Sequence, residues 1–255
     1  MSTPYLHGKF VWFELLTQDM EKAKAFYGGL FGWRSSLVPM GDGEPYPMIH
    51  NGEQAIGGYR KGPPAVKSHW VPYLSVPDVD ASHRAAAAAG CRVMMAPTDF
   101  GAAGRAAAIA DPTGASFCVW KGANGDPPDV EKAPMGGWFW NELWSSDDRK
   151  ALQFYETMFG FTHEAMNKGP MTYYVLNKGG HPRAGLCQSV NPGAKSMWLP
   201  YVAVSDCDAT ARKSAALGGE VVSPPRDIPG IGRFAIVVDT TGAAVAFIAP
   251  QAHTP

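Results

Sequence analysis

The chain is short of net charge, of cysteine and of long apolar runs, and each shortage removes a class of function. Its 255 residues carry 22 Lys and Arg against 23 Asp and Glu, a formal charge of -1. That balance gives no field to gather nucleic acid or anionic lipid. The four cysteines, Cys91, Cys118, Cys187 and Cys207, form no C-x-x-C pair and share no position between the two halves. A disulfide framework or zinc knuckle needs a spacing that is missing, so free buried thiols in a reducing compartment are expected. No apolar run approaches the ~18 residues of a membrane span, and the opening MSTPYLHGKF has no apolar signal core. A cytoplasmic protein with neither membrane nor nucleic-acid partners is the expectation. Gly41-Asp42-Gly43 and Gly230-Ile231-Gly232 are turns rather than nucleotide loops, because no further glycine follows to open a helix. No serine nucleophile elbow or Walker pattern is present.

What the chain does have is a copy of itself. FVWFELLTQDMEKAKAFYGGLFGW, from Phe10 to Trp33, returns as WFWNELWSSDDRKALQFYETMFGF from Trp138 to Phe161. Displaced by 128 residues and without a gap, Trp12, Glu14, Asp19, Lys22, Phe26, Tyr27 and Gly32 fall on Trp140, Glu142, Asp147, Lys150, Phe154, Tyr155 and Gly160. Lys67, Ser68, Trp70, Pro72 and Tyr73 meet Lys195, Ser196, Trp198, Pro200 and Tyr201, and Arg105, Asp111 and Gly114 meet Arg233, Asp239 and Gly242. A period this long means tandem domains, since solenoid repeats run roughly 20 to 50 residues. The expected boundaries are 9–121 and 138–250, joined by GANGDPPDVEKAPMGG over 122–137, which is rich in Gly and Pro and has no apolar period.

Each half reads as strand, helix, then three short strands, twice over. Lys9 to Leu16 is aromatic and strand-like, after which Ala23, Phe26, Tyr27 and Leu30 recur at helical spacing behind a capping Thr17 or Asp19. Gly32 stands where the helix needs a left-handed residue. Strands follow at Arg34–Val38, Tyr46–Asn51 and Gln54–Tyr59, then Trp70–Val76, a helix from Asp78 to Ala89, and strands at Cys91–Met95, Arg105–Ala110 and Ser116–Lys121. Asp111-Pro112-Thr113-Gly114 is a type I turn that makes the last two strands a hairpin. The second half repeats this order, with helices near Asp147–Met158 and Asp206–Leu217 and a hairpin at Asp239–Gly242, and the tail after Pro250 is expected to be loose.

Four βαβββ modules, with an Asp-led Phe-Tyr…Phe-Gly helix after the first strand and an Asp…Gly hairpin before the last, resemble the vicinal oxygen chelate superfamily. The likeness covers about Lys9 to Pro250. Glyoxalase I, bleomycin and fosfomycin resistance proteins and extradiol dioxygenases belong there, and the chain is similar to bacterial tandem glyoxalase-like proteins. The resemblance implies an α+β fold of two glyoxalase-like domains, whose curved mixed sheets enclose cavities and whose strands hold a divalent metal on His, Gln or Glu. At those ligand positions this chain has Trp12, Val71 and Cys118 in one half and Trp140, Leu199 and Ala246 in the other. Such residues cannot hold a hard cation, so no metal and no other cofactor is expected at the usual site.

Reactivity then falls to other side chains. Glu14 and Glu142 lie two residues beyond Trp12 and Trp140, on the strand face expected to look into a cavity, where a desolvated carboxylate suits general acid or base work. A structural ion pair or hydrogen bond explains such a carboxylate equally. Tyr73 and Tyr201 share that face and offer hydroxyls that orient or protonate an oxygen; a core tyrosine is the plainer reading. Trp12, Trp70, Trp140, Trp144 and Trp198 suit a flat or apolar ligand, or simply core filling. Arg105 and Arg233 can fork a carboxylate or enolate, unless each pairs locally with Asp99 or Asp227. His50 and His69 have no histidine opposite them in the second half, where Lys178 and Met197 stand; His69 with Glu14 would make an irregular metal or acid/base site, which points first to the N-terminal half.

Three readings result. One is a glyoxalase-like lyase or oxidoreductase that binds a small, partly aromatic molecule without the standard metal and catalyses proton transfer, a lyase step or a hydroxylation-type step. Another is a binding protein that sequesters a drug or toxin, in the manner of bleomycin resistance proteins. The third is a metalloenzyme at His69 and Glu14. A monomer that is itself a pseudo-dimer, or a homodimer, fits all three.

Overall fold

The structure is a computed structural model and describes residues 4–40, 43–168, 171–190 and 193–251. The first module runs β1 (Phe10–Thr17), α1 (Met20–Phe31), β2 (Arg34–Val38), β3 (Tyr46–Asn51) and β4 (Gln54–Lys61); the second runs β5 (His69–Ser75), α2 (Val79–Ala88), β6 (Arg92–Asp99), β7 (Gly104–Ala110) and β8 (Ser116–Gly122). The third is β9 (Trp138–Ser145), α3 (Asp148–Phe159), β10 (Thr162–Lys168), β11 (Met171–Lys178) and β12 (His181–Gln188); the fourth is β13 (Met197–Ala203), α4 (Cys207–Ala216), β14 (Glu220–Ile228), β15 (Gly232–Val238) and β16 (Ala244–Pro250). The fold is α+β, with two mixed eight-stranded sheets ordered β2-β3-β4-β1-β5-β8-β7-β6 and β10-β11-β12-β9-β13-β16-β15-β14.

Local chemistry sets the helix ends. Asp19, Asp78, Asp147 and Asp206 each accept the backbone N–H three residues on, filling the first orphan donors of the four helices. α1 and α3 stop at Gly32 and Gly160, whose φ of 76° and 63° suit glycine alone at low cost. Asp111 draws the β7–β8 turn tight, its Oδ1 accepting from the backbone N–H groups of Thr113 and Ala115 and from the Thr113 hydroxyl. Asp239 does the same for β15–β16. β6 extends four residues past the expected Met95, over exposed residues and two register shifts, and β14 runs through Pro224 and Pro225. Prolines and bulges of this kind are tolerated at a sheet edge, where one side of the ladder needs no partner. The turn expected at Gly41-Asp42 and the tail residues 252–255 lie outside the described residues.

Contacts group the chain into two compact units: Met1–Trp12 with Val71–Asp129 and Trp140–Trp198, and Phe13–Trp70 with Val130–Phe139 and Leu199–Pro255. Each unit therefore takes one module from each half of the sequence. In the unit holding the first and fourth modules, Tyr27 accepts from the Trp70 indole N–H at 3.0 Å and packs its ring 5.4 Å from Trp33. Trp138 joins that cluster, 5.2 Å from Trp70, and anchors the end of the linker by donating to the Ile56 carbonyl at 2.7 Å. Burial, and after it the charge of Asp239, pushes the Tyr27 phenol far above its ordinary pKa. The other unit repeats the device: Tyr155 packs edge-on to Trp198 at 5.6 Å and donates to Asp111 Oδ2 at 3.1 Å. The Phe-Tyr helix and the Asp…Gly hairpin, far apart in sequence, are thus two halves of one buried contact.

The gapless register of the repeat requires one correction. Glu14 lies opposite Gly58 across β1 and β4, while Glu142 lies opposite Gly185 across β9 and β12, a displacement of 127 rather than 128. His50 pairs with Arg34 as Asn177 pairs with Thr162, so Asn177, not Lys178, is the counterpart of His50. One residue fewer between α3 and β12 accounts for the slip.

Candidate functional site

Each unit holds a buried glutamate in the middle of a sheet. In the first copy Glu14, 3% exposed, sits on β1. Tyr46 on β3 donates its hydroxyl to Glu14 Oε1 at 2.9 Å, and Arg60 on β4 donates Nε to Oε2 at 2.8 Å. The Tyr46 ring reaches across β4 only because Gly58 has no side chain: a Cβ there would stand 1.9 Å from the Tyr46 hydroxyl. A strand glycine here serves close approach, as an isolated glycine in a strand often does. The Arg60 guanidinium also lies 5.9 Å from the Tyr46 ring centre, with its side chain 41% exposed. Charge, hydroxyl and ring together make this carboxylate one member of an ion-pair cluster.

The second copy keeps the tyrosine and the glycine and changes the rest. Glu142, 8% exposed, accepts from the Trp144 indole N–H. Tyr173 on β11 bonds the same carboxylate and accepts the Trp140 indole N–H at 2.9 Å. A Cβ on Gly185 would fall 1.9 Å from the Tyr173 hydroxyl, the same constraint as at Gly58. Burial, followed by the charge of Glu142, pushes the Tyr173 pKa far up, so its hydroxyl keeps its proton and remains a donor. In this register Cys187 stands where Arg60 stands, and Trp144 stands where Leu16 does. One indole and one phenol thus bond the carboxylate, and a second indole bonds the phenol.

The remaining candidates are placed as follows. Tyr73 and Tyr201 are buried, one against Trp120 with ring centres 5.8 Å apart and the other against Phe234 at 6.2 Å. Trp70 and Trp198, each 2% exposed, are core residues of the two tyrosine clusters, whereas Trp12, Trp140 and Trp144 keep part of their surface accessible. Arg105 forks Asp80 on α2 at 2.7 and 2.8 Å, and Arg233 forks Asp208 on α4 while a third nitrogen reaches Asp227 at 3.1 Å. Both guanidiniums tie a hairpin strand to the start of the helix beside it. His50 Nε2 meets the Ser36 hydroxyl and His69 Nδ1 meets the Lys67 carbonyl, each at 2.8 Å.

Sequence reasoning missed Tyr46, Arg60 and Tyr173. The available signal was the glycine opposite each glutamate, Gly58 and Gly185, since a strand position without a side chain marks a place where something else comes close.

The donor set at the family's metal positions does not suit a divalent ion. Val71, Leu199 and Ala246 are buried hydrocarbon, Trp12 and Trp140 offer no lone pair, and Cys118 is a single thiol opposite Tyr73 on the neighbouring strand. Among the described residues there is no group of three or more His, Cys, Asp or Glu side chains that could hold a metal.

Comparison with known proteins agrees with this architecture. The profile of the Glyoxalase/Bleomycin resistance protein/Dioxygenase superfamily matches residues 9–119 and 140–247. CFP32 of Mycobacterium tuberculosis, a protein named as a glyoxylase, is 38% identical over 252 residues, covering 96% of each chain. The anthracycline biosynthesis protein DnrV of Streptomyces peucetius is 30% identical over 265 residues, covering 96% of this chain and 94% of its own. Among solved structures, the Mn(II)-bound glyoxalase of Novosphingobium aromaticivorans superposes with a TM-score of 0.61 at 19% identity, over 98% of this chain and 83% of that one. An extradiol ring-cleaving dioxygenase of B. fuscum reaches 0.65 at 16% identity, over 100% of this chain and 76% of its own. At such identities the structures establish the shared fold alone. No helix among the described residues is long and apolar enough to cross a membrane.

Proposed function

Because this chain belongs to the glyoxalase/bleomycin resistance protein/dioxygenase superfamily, we propose that it binds a small, partly aromatic carbonyl compound at Glu142 and moves a proton on it. The observation that carries this reading is the convergence of the Trp144 indole and the Tyr173 hydroxyl on a buried carboxylate, with Trp140 behind the tyrosine. Glu142 is the base: it takes a proton from a carbon next to the ligand's carbonyl and returns it to a neighbouring atom, leaving the carboxylate as it began. Tyr173 and Trp144 are positioning residues, each fixing one side of the carboxylate, and the accessible faces of Trp140 and Trp144 are the surface on which a flat ligand stacks. The name of DnrV, from anthracycline biosynthesis, fits a ligand with fused rings.

Two measurements test the proposal. Elemental analysis of the purified protein, with and without added Mn, Fe, Ni or Zn, is expected to find no stoichiometric metal; an equivalent of metal lost in a His69→Ala variant would instead support an irregular site in the first copy. A thermal-shift panel of flat aromatic ketones, 2-oxoaldehydes and glycopeptide drugs then separates chemistry from storage, since a ligand of the native state raises its apparent stability. Binding of glycopeptides alone, with no effect of Glu142→Gln, would favour sequestration.

A further inference from the structure

A pocket of about 290 Å³ opens at the end of β1, lined by Thr17, Gln18, Asp19, Lys22, Val66, Lys67, Ser68, Thr240 and Thr241. We propose that it binds a small oxyanion, the phosphate or carboxylate group of a soluble metabolite. Hydrogen-bond bookkeeping among its walls leads there. The Asp19 side chain is the helix cap, its Oδ1 accepting the Lys22 backbone N–H at 2.9 Å, so the helix terminus is already filled. Thr17, 1% exposed, accepts from the Ser68 hydroxyl at 3.0 Å and from the Asp19 backbone N–H at 3.2 Å. A hydroxyl that accepts twice still has a proton to give. Thr240 Oγ1 is buried without a hydrogen-bond partner. Among the lining residues the Thr17 hydroxyl and the buried Thr240 hydroxyl are donors without an acceptor, and two lysines, Lys22 and Lys67, stand against the one carboxylate of Asp19; a surplus of donors and positive charge is complemented by an oxyanion.

The second copy lacks this surplus. Ser145, the counterpart of Thr17, gives its proton to the Asp147 carbonyl at 2.9 Å, and the Ser196 hydroxyl is engaged by Ser146 through both its backbone N–H and its own hydroxyl. Pro112, which has no side-chain donor, stands at the place of Thr240. One site per chain follows, although Lys150 and Lys195 repeat the two lysines.

Isothermal titration of the full chain with sodium phosphate, against sodium chloride of equal ionic strength, tests this, with malonate in parallel to tell a phosphate from a carboxylate as the anionic group. We expect saturable binding of one oxyanion per chain, weakened at least about tenfold in Lys22→Ala/Lys67→Ala and in part by Thr17→Val, and unchanged in Lys150→Ala/Lys195→Ala and in Glu142→Gln. Circular dichroism confirms that each variant is folded. Equal heats for phosphate, malonate and chloride would overturn the proposal, as would wild-type binding in the Lys22/Lys67 variant or equal loss in the Lys150/Lys195 variant.

Discussion

The two glutamate clusters are one design with two sets of neighbours. Both place a glutamate opposite a strand glycine and lay a tyrosine across that glycine onto the carboxylate. The first copy then adds the Arg60 guanidinium; the second puts Cys187 at that register position and an indole beside the carboxylate in place of Leu16. The Glu14 carboxylate is thereby engaged in a charge-assisted hydrogen bond. The Glu142 carboxylate is oriented by an indole and a phenol. If Glu142 is the base, as proposed, duplication separates a structural role from a chemical one, whereas the residues alone point first to the N-terminal copy, where His50 and His69 lie.

The largest break in that comparison comes from Arg60→Ala. Stranding one member of a buried ion pair costs ~3–5 kcal/mol, but the Arg60 side chain is 41% exposed and water screens the pair. A loss of about 2–3 kcal/mol is expected, read from urea denaturation with an unchanged slope. Cys187→Ala at the matching position should cost less, about 1 kcal/mol. Gly58→Ala and Gly185→Ala come next: each new Cβ collides with a tyrosine hydroxyl, and displacing the ring costs about 1–2 kcal/mol. Of these two, only Gly185→Ala should also weaken ligand binding. Tyr173→Phe, which removes the hydrogen bonds to Glu142 and from Trp140, should cost about 1–2 kcal/mol and shift the pH profile of any activity, where Tyr46→Phe leaves that profile alone.

The smallest effect concerns pH. Bonds from Arg183 first, and then from Lys9, lower the pKa of the linker's Asp129 to about 2. Since the folded pKa lies below the unfolded one, that contribution is complete above about pH 4. It fades as pH falls toward 2, and an Asp129→Asn variant should lose that part of the acid dependence in thermal melts.

Much of the fold was legible in the residues. The Asp caps, the αL glycines at 32 and 160 and the Asp…Gly hairpins each act through neighbours a few positions away, so local spacing reveals them. The partition of contacts was not legible, because Tyr27 depends on Asp239 and Tyr155 on Asp111, residues that only tertiary packing brings together. The site was half legible. Glu14 and Glu142 stand out by repetition, but Arg60 and Tyr173 act across strands and match no motif, and the one-residue slip hides the equivalence of Gly58 and Gly185.

The most direct trial is calorimetric titration of an anthraquinone-class tricyclic ketone into wild type, Glu142→Gln and Glu14→Gln. The account predicts saturable binding that falls at least about tenfold in Glu142→Gln and persists in Glu14→Gln. The reverse order, with Glu14→Gln losing the ligand and Glu142→Gln keeping it, would contradict it.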